Sequence, residues 1–429
     1  MKRQISSKID TFLKRKQPHT NVLIVQGARQ VGKTYLVEDT LSQQSHVIAM
    51  NLEKEPALNL EIEQSKNFSD FTKLLEVRKG FKSNSHQTVF IDEAQENSRL
   101  GAYVRDMKET WSFTKTILTG SSMNRLFRED QRVPVGRMDF LTVHPFSFRE
   151  FLRSGEREHL LEAALDAPLK IHPTLHQELL RSYDSFLRIG GLPEAVLAFQ
   201  NPERDFRSVI AHLVASQRED FLRKEKAKPH LFIEALRGVA NHVGSTAKFT
   251  HISDNKHDAT KIMTHLVDWF IVHEVEVLGT QATQRTSTKR YLYDTGVLRF
   301  VRNAPVPELS VLGTLNEALR VPLGGIAENA VLLAILAKEN HVLPVSTWRK
   351  SAKEPLEVDF VVQEQSMYVP IEVKASLKIT PRQCHNLVAY ARTHDVPKGR
   401  LYSFAEPQKF GFLTPHFQVE CLPIYLAGE

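Results

Sequence analysis

The sequence predicts an α/β protein of several domains, and three observations lead to this prediction. Strand-like and helix-like segments alternate over residues 1–150, the pattern of a mostly parallel sheet with helices on its faces. From about residue 151 to 285 the strand signals vanish and helices follow one another. After residue 285 strand signals return between helices. A chain of 429 residues has the length of two to four domains of about 100–200 residues each.

The composition sets limits on the function. The hydrophobic share of 41% and the charged share of 25% are typical of a globular protein with real cores. The net charge of +6 is compatible with a nucleic-acid partner, but a solvated basic surface explains it equally well. Only Cys384 and Cys421 are present, so the sequence predicts no disulfide framework and a reducing compartment.

Neither the N-terminal segment nor the longest apolar run of the sequence predicts a membrane protein. The N-terminal segment MKRQISSKIDTFLKRK has helical spacing of apolar residues with charges between them, unlike a signal peptide. The longest apolar run, AVLLAILA, is too short to span a bilayer. We therefore expect a cytoplasmic protein with no membrane partner.

Five strands are predicted in the first 150 residues, at 21–25, 46–52, 88–92, 115–120 and 139–145. The segment GARQVGKT follows the first of them and precedes a helical stretch, which is the context that a phosphate-binding loop requires. Its spacing places Gly27, Gly32, Lys33 and Thr34 at the defining positions, with Ala28, Arg29, Gln30 and Val31 between them.

This loop predicts ATP and Mg²⁺ as cofactors. Its backbone N–H groups and the start of the following helix would face the phosphates. Lys33 would contact the β- and γ-phosphates, and Thr34 would hold Mg²⁺. A chance match in a loop is the alternative, and the strand and helix on its two sides argue against it.

Two acids end the predicted strand TVFID. Asp92 is suited to the Mg²⁺ shell, and Glu93 to polarising an attacking water as general base. Helix capping would explain the same acids without any catalysis. After the strand KTILTG, Ser121 or Ser122 could sense the γ-phosphate, again with a helix cap as an equal alternative; Ser121 is the predicted contact.

An arginine is expected to stabilise charge in the transition state, within one chain or across a subunit interface. Arg137 is the predicted catalytic residue, and three neighbours compete with it for this role: Arg125, Arg128 and Arg132. Each of them, taken singly, is also explained as a solvated surface arginine.

The middle of the chain is predicted to be helical, with a break at GGLPEA. The segments FIEALRGVANHVG and DATKIMTHLVDWFIVHEVEVLG could form a helix-turn-helix, with TQRTSTKRYLYD as a wing. A solvated helix face is the alternative for its polar stripe.

A group of acids and one lysine is predicted near the C-terminal end. EVDFVVQ and YVPIEVK alternate like the strands of a hairpin, which would bring Asp359 beside Glu372 and Lys374. Glu328, in a preceding helix, is available as a further acid. Two carboxylates can hold Mg²⁺, or Mn²⁺ at this site, for phosphodiester cleavage, and the lysine can orient or deprotonate the attacking water. A cross-strand ion pair is the alternative.

The order of these motifs resembles a prokaryotic family of AAA-type P-loop ATPases with a C-terminal domain of unknown function. The resemblance rests on GARQVGKT, FIDEAQ, LTGSS, HPFSFREFL, GGLPEA, RYLYDTGVL and TWR…EVDFVV…IEVKAS. It implies an ATPase core at 1–155, a helical lid region at 156–230 and a winged-helix-like region at 231–305. For residues 306–429 it implies a restriction-endonuclease-like (PD-(D/E)xK) fold, with Asp359, Glu372 and Lys374 as catalytic residues and Glu328 as a further metal ligand.

The resulting expectation is a Mg²⁺-dependent, ATP-hydrolysing protein. Its nucleotide state would control a C-terminal domain that binds nucleic acid, DNA in preference to RNA, and whose cleavage activity stays open. The alternative is a signalling ATPase whose inactive C-terminal domain binds a protein partner. The resemblance also implies an oligomer of identical chains, because AAA-type sites lie between subunits.

Overall fold

The structure, a computed structural model, forms two compact units, Met1–His144 with Asp268–Phe270 and Pro145–Val267 with Ile271–Glu429. It describes residues 3–16, 21–83, 85–122, 126–127, 136–225, 228, 230–246, 255–279, 285–303, 307–314, 317–338, 344–351, 354, 356–412 and 416–429.

The first unit contains a parallel five-stranded sheet. Its strands are β1 (Val22–Gln26), β2 (Val47–Asn51), β3 (Gln87–Asp92), β4 (Thr114–Gly120) and β5 (Met138–Thr142). The helices between them are α1 (Ser6–Lys14), α2 (Lys33–Leu41), α3 (Pro56–Glu63), α4 (Phe68–Lys79) and α5 (Leu100–Thr110). The strand order is β2-β3-β4-β1-β5, and each predicted strand of this sheet is present.

This topology brings the ends of three strands to one edge. Because all neighbours in the sheet are parallel, β1, β3 and β4 end on the same side, at Gln26, Asp92 and Gly120. Ligands of open parallel sheets bind at the carboxyl ends of the strands. The core below this edge is apolar, and it includes Ile24 and Val89, both fully buried.

The second unit begins with helices and ends with a mixed sheet. Its helices are α6 (Phe148–Ser154), α7 (Glu158–Leu165), α8 (Pro173–Ile189), α9 (Pro193–Gln200), α10 (Phe206–Glu225), α11 (Leu231–Asn241), α12 (Lys256–Asp268), α13 (Thr295–Arg302), α14 (Glu317–Ala337) and α15 (His385–His394). Its strands are β6 (Val272–Leu278), β7 (Arg285–Leu292), β8 (Ser346–Arg349), β9 (Glu357–Glu364), β10 (Met367–Lys374), β11 (Lys398–Ser403), β12 (Gln408–Phe412) and β13 (Phe417–Pro423).

These eight strands form a single sheet in the order β12-β13-β11-β10-β9-β8-β6-β7. The predicted hairpin is present: β9 and β10 are antiparallel, with Phe360 opposite Ile371. Asp359 and Glu372 are the next residues along these two strands. In an antiparallel pair, their side chains project from the same face of the sheet.

The structure differs from the sequence-based prediction in the middle region. The long helix expected over 258–279 ends at Asp268, and the strand β6 follows it. The strand forms because Val272, Val275 and Val277 are β-branched and buried, with Val275 and Val277 on one face of the sheet and Val272 on the other. The expected wing, β7, pairs with β6, and β6 pairs with β8. The predicted boundary between residues 305 and 306 therefore cuts through one sheet.

Two motifs of the second unit, GGLPEA and YLYDTG, pack against each other. Asp294 caps α13 by accepting a hydrogen bond from the Val297 N–H at 2.8 Å, and it accepts another from the Gly191 N–H at 2.7 Å. A Cβ added at Gly190 would lie 2.2 Å from Asp294 Oδ1, and one added at Gly191 would lie 2.2 Å from the Phe146 carbonyl oxygen. The glycines are thus required by close packing.

Within the described parts of the chain, none of the helices combines the length and the hydrophobicity that crossing a bilayer requires.

Candidate functional site

The loop between β1 and α2 has the backbone of an anion-binding turn. Gly27, Gln30 and Gly32 have φ angles of 145°, 68° and 88°. A Cβ at Gly27 would lie 2.2 Å from the Val143 carbonyl oxygen, so a side chain at this position would strike the end of β5. α2 begins at Lys33, and its N-terminal end faces the loop.

Lys33 lies buried inside this loop. Its Nζ donates hydrogen bonds to the carbonyl oxygens of Gly27 at 3.0 Å and Ala28 at 2.9 Å. Burial lowers the pKa of Lys33 to about 8, although Glu93 and Asp92 oppose the shift. A phosphate at this ammonium would stabilise its charge better than two neutral carbonyls do.

Asp92 is held by donors from three different elements. The Thr34 hydroxyl lies 3.1 and 3.0 Å from its two carboxylate oxygens, and the Asn51 amide donates to Oδ2 at 2.7 Å. The Thr119 hydroxyl donates to Oδ1. The structure therefore brings together the two residues that were predicted to hold Mg²⁺, Thr34 and Asp92.

Sequence reasoning missed two residues of this network, Asn51 and Thr119. The available signal was a polar residue at the carboxyl end of an apolar strand, in VIAMN and in TKTILTG. Both strands are neighbours of the acid-bearing strand β3 in the sheet, and this pairing is not readable from the sequence alone.

The neighbouring predicted residues lie at the same edge of the sheet. Glu93 directly follows β3 in a left-handed conformation, with φ of 53°, and its carboxylate is a partner of the Gln95 amide. Ser121 and Ser122 follow β4 and are buried. Ser122 Oγ has no hydrogen-bond partner among the residues that the structure describes.

Arg137 lies at the opposite edge of the sheet. Its carbonyl oxygen accepts from the Val22 N–H, and the next residue, Met138, is opposite Val22 at the start of both strands. Five residues separate Val22 from Gly27, about 16 Å at 3.3 Å per residue. The guanidinium instead pairs with Glu109 at 2.9 Å. The side chain therefore starts at the end of β5 that lies away from the phosphate loop of its own chain, and the catalytic role of Arg137 stays a prediction that favours a neighbouring subunit.

The three competing arginines, Arg125, Arg128 and Arg132, lie outside the described residues.

The donor set at the loop fits ATP with Mg²⁺. Thr34 and Asp92 supply hydroxyl and carboxylate oxygens, which are the ligands that Mg²⁺ prefers. Lys33 and the loop backbone supply the donors for phosphate.

A second candidate site lies on the sheet of the second unit. Asp359 Oδ2 accepts a hydrogen bond from the Val373 N–H at 2.8 Å. Glu372 is 1% exposed, and its Oε1 accepts from Lys374 at 2.5 Å and from Asn386 at 3.1 Å. Its other oxygen, Oε2, is buried and has no hydrogen-bond partner in the described residues.

Lys289 is the residue at this site that sequence reasoning missed. Its side chain is 1% exposed, and its Nζ lies 3.1 Å from Glu328, 2.6 Å from Glu357 and 3.9 Å from Asp359. β7 and β9 are three strand spacings apart, about 14 Å in a flat sheet, so these contacts join residues that are distant both in sequence and in strand order. The sequence predicts TQRTSTKRYLYD as the wing of a helix-turn-helix, and that interpretation does not single out a buried lysine.

Burial and mutual repulsion control the charges of the carboxylates. Burial raises the pKa of Asp359, and the charges of Glu372 and Glu328 raise it further. Burial also raises the pKa of Glu372, although Lys374 opposes the shift. For Lys374 burial acts to lower the pKa, but Glu372 and Asp359 act more strongly and raise it. A cation at this site would relieve the repulsion.

The predicted three-carboxylate metal set is not assembled. Over the described residues, no group of three or more His, Cys, Asp and Glu side chains is arranged to hold a metal ion. The physical reason is Lys289, whose ammonium lies between Glu328 and the acids of β9. The pair Asp359 and Glu372 still fits a hard divalent cation, because both offer oxygens and Glu372 Oε2 is unpartnered.

Comparisons with known protein families agree with the geometry of the loop. Residues 19–152 match the family model of an AAA domain. This segment is similar to the AAA domains of P-loop proteins. Residues 180–308 and 323–415 match two domains of unknown function, DUF8612 and DUF4143. The restriction-endonuclease-like fold of the C-terminal part stays a prediction.

Individual relatives are distant. An uncharacterised protein of Haemophilus influenzae is 22% identical over 298 residues, which are 65% of this chain and 68% of that protein. One of Methanocaldococcus jannaschii is 25% identical over 183 residues, 41% of this chain and 36% of that protein. The solved Walker-type ATPase PABY2304 of Pyrococcus abyssi is 16% identical and covers 70% of this chain and 95% of its own, with a TM-score of 0.45, too low to establish a shared fold.

Proposed function

We propose that this chain hydrolyses ATP with Mg²⁺ at the turn between β1 and α2. The observation that carries the proposal is the contact of Asp92 with Thr34, made beside the buried Lys33. Lys33 would leave the loop carbonyls for the phosphates, and Glu93 would orient the attacking water. Bound Mg²⁺ supplies charge neutralisation at the phosphate oxygens.

Replacing Glu93 separates binding from chemistry. We expect Glu93→Gln to bind a fluorescent ATP analogue like the wild type and to hydrolyse ATP about 100-fold more slowly or worse, the usual effect of losing a general base. The matched control is Glu96→Gln, on the turn that follows. Wild-type turnover by Glu93→Gln would remove Glu93 from the mechanism.

A second function is favoured by two acidic residues, Asp359 on β9 and Glu372 on β10. We infer that the C-terminal part acts on nucleic acid and that the nucleotide state of the AAA domain controls it. The support is Glu372, buried with an unpartnered oxygen, beside Asp359 and Lys374. Lys374 would hold or deprotonate the attacking water, and a divalent cation held by the two acids would supply Lewis acidity.

The test is cleavage of a panel of single- and double-stranded DNA and RNA, with Mg²⁺ or Mn²⁺, with and without ATP. We expect Asp359→Ala and Lys374→Ala to lose cleavage and keep ATP hydrolysis. If the wild type cuts nothing in this panel, the alternative gains: a signalling ATPase whose C-terminal part binds a protein. In that case the two substitutions would leave binding to nucleic acid unchanged.

A further inference from the structure

A cleft in the second unit lies between α8, α9, α10 and α13. It has a volume of about 670 Å³, within the range of about 300–1,000 Å³ that is common for ligand sites. Six of its residues carry recognition chemistry, and we call it the arginine–phenylalanine cleft: Arg188, Arg207, Arg299, Phe199, Phe206 and Phe300. The carboxylates and lysines of the two sites described above are not among the residues that line it.

The aromatic wall of this cleft is partly open to solvent. The rings of Phe199 and Phe206 meet edge to face with centroids 5.8 Å apart, and the Arg207 guanidinium lies 5.9 Å from the Phe206 centroid. Phe199 is 39% exposed and Phe300 is 42% exposed. Exposed aromatic faces beside guanidinium groups are the surfaces on which unpaired bases stack.

The charges of this cleft have one sign. Among the described residues, each charged side chain that lines the cleft is an arginine. Arg188 forms ion pairs with Asp184 at 3.3 Å and with Glu308 at 3.2 Å, and neither of these acids lines the cleft. Burial lowers the pKa of Arg299, and the charges of Arg188 and Arg207 act in the same direction, against Asp184 and Glu308. An anion in the cleft would relieve this repulsion.

We propose that the arginine–phenylalanine cleft binds nucleotide units of a single-stranded nucleic acid, with phosphates on the arginines and bases on the phenylalanines. An acidic protein segment would use the arginines but leave the exposed rings without a matching partner. A duplex keeps its bases stacked inside, away from Phe199 and Phe300. The inference gives the nucleic-acid partner of the proposed function a binding site, and it does not require cleavage.

The experiment uses the full chain and fluorescein-labelled DNA and RNA, each about 15 nucleotides long and tested both as single strands and as duplexes, a length near the upper end of what one binding module covers. Anisotropy measures affinity for the wild type, Arg207→Glu and Phe300→Ala. Both side chains are exposed, so the fold tolerates the changes. The matched controls are Arg204→Glu and Leu197→Ala, which change exposed neighbours outside the cleft.

We expect each cleft variant to lose affinity about 5-fold or more for at least one of the two strands, the effect of losing one stacked base or one phosphate contact. The controls should stay within about 2-fold of the wild type, as for surface changes without contacts. Equal affinity of wild type and cleft variants for both strands would overturn the inference. It would be overturned equally if duplex and single strand bound alike, or if the variants weakened only the binding of free ATP.

Lys374→Ala separates this inference from the proposed cleavage. Adding Arg207→Glu to Lys374→Ala should lower the affinity for the strand by the same factor as Arg207→Glu does in the wild type, because Lys374 lies outside the cleft. If binding depends on the cleft but no cleavage occurs, the binding proposal is supported and the nuclease proposal is refuted. Cleavage together with unchanged affinity in Arg207→Glu would do the reverse.

Discussion

At the scale of single residues, we expect Lys33 to link ATP binding to the uptake of a proton. Burial lowers the pKa of Lys33 to about 8, and a triphosphate at its Nζ would raise that pKa again. ATP binding at about pH 8.5 should therefore take up a fraction of a proton, because free Lys33 is partly neutral there and bound Lys33 is charged. Calorimetry in two buffers of different ionisation enthalpy measures this uptake.

The control for the coupling is the same titration at about pH 6.5, where Lys33 is charged in both states and its contribution vanishes. Buffer-independent binding heats at the higher pH would show that Lys33 keeps its charge in the empty loop.

Lys289 is a buried cation shared by Glu328 and Glu357 in the second unit. Its ammonium contacts Glu328 and Glu357 at 3.1 and 2.6 Å and is 1% exposed. We expect Lys289→Met to lower the free energy of unfolding by about 3–5 kcal/mol, since it removes the cation paired with Glu328, whereas Glu357 keeps Arg349. Denaturant unfolding measures the change.

Lys350→Met is the matched control, because Lys350 forms an exposed ion pair with Glu354. Its effect should be within about 0.5 kcal/mol. A Lys289→Met variant as stable as this control would mean that the carboxylates are protonated or solvated, contrary to the ion pairs described here.

At the scale of elements, the packing of GGLPEA against the backbone of Phe146 depends on glycine. We expect Gly191→Ala to cost about 1–3 kcal/mol or more, because its Cβ would lie 2.2 Å from the Phe146 carbonyl oxygen. Gly411→Ala is the control, since a Cβ there meets nothing within 4 Å. Equal unfolding midpoints for the two variants would contradict this close packing.

Asp294, at the same junction, makes stability depend on pH. Burial raises its pKa to about 6, against the opposing hydrogen bonds from backbone N–H groups. The folded state therefore holds a proton that the unfolded chain has released, so this group's contribution falls as pH rises from about 4 to about 6. Relative to Asp294→Asn, the wild type should lose stability across this window. A pH-independent difference between the two proteins would refute the raised pKa.

Most of the first unit could be predicted from the sequence, because its information is local. An apolar strand, a glycine-bearing turn and a helix follow one another around Lys33, and each can be recognised without its neighbours in space. β6 could not be predicted, since VHEVEV continues the apolar pattern of α12 and only pairing with β7 and β8 makes it a strand. The roles of Lys289 and Thr119 could not be predicted either, because their partners lie on strands that are distant in sequence and meet only in the folded sheets.

At the scale of the whole molecule, Arg137 provides a test of whether the proposed ATP hydrolysis depends on assembly. It lies at the edge of its sheet opposite the phosphate loop, so it could act only on a neighbouring subunit. We expect Arg137→Ala to hydrolyse ATP slowly, and a mixture of Arg137→Ala with Lys33→Ala to recover activity. In mixed oligomers, some sites combine an intact Lys33 with an intact Arg137 from the neighbour.

Phosphate release by the mixture, compared with the sum of the two variants alone, measures this recovery. A mixture no more active than that sum, or an Arg137→Ala variant of wild-type activity, would exclude the arginine from a shared site.

Hydrolysis of ATP at the turn between β1 and α2 is the claim on which the other functions depend. The direct measurement is phosphate release from ATP and Mg²⁺ by the wild type, Lys33→Ala and the exposed control Lys54→Ala. We predict release by the wild type and by Lys54→Ala, and a loss of about 100-fold or more in Lys33→Ala, as for a donor that stabilises charge in the transition state. Release by Lys33→Ala at the wild-type rate would contradict the claim.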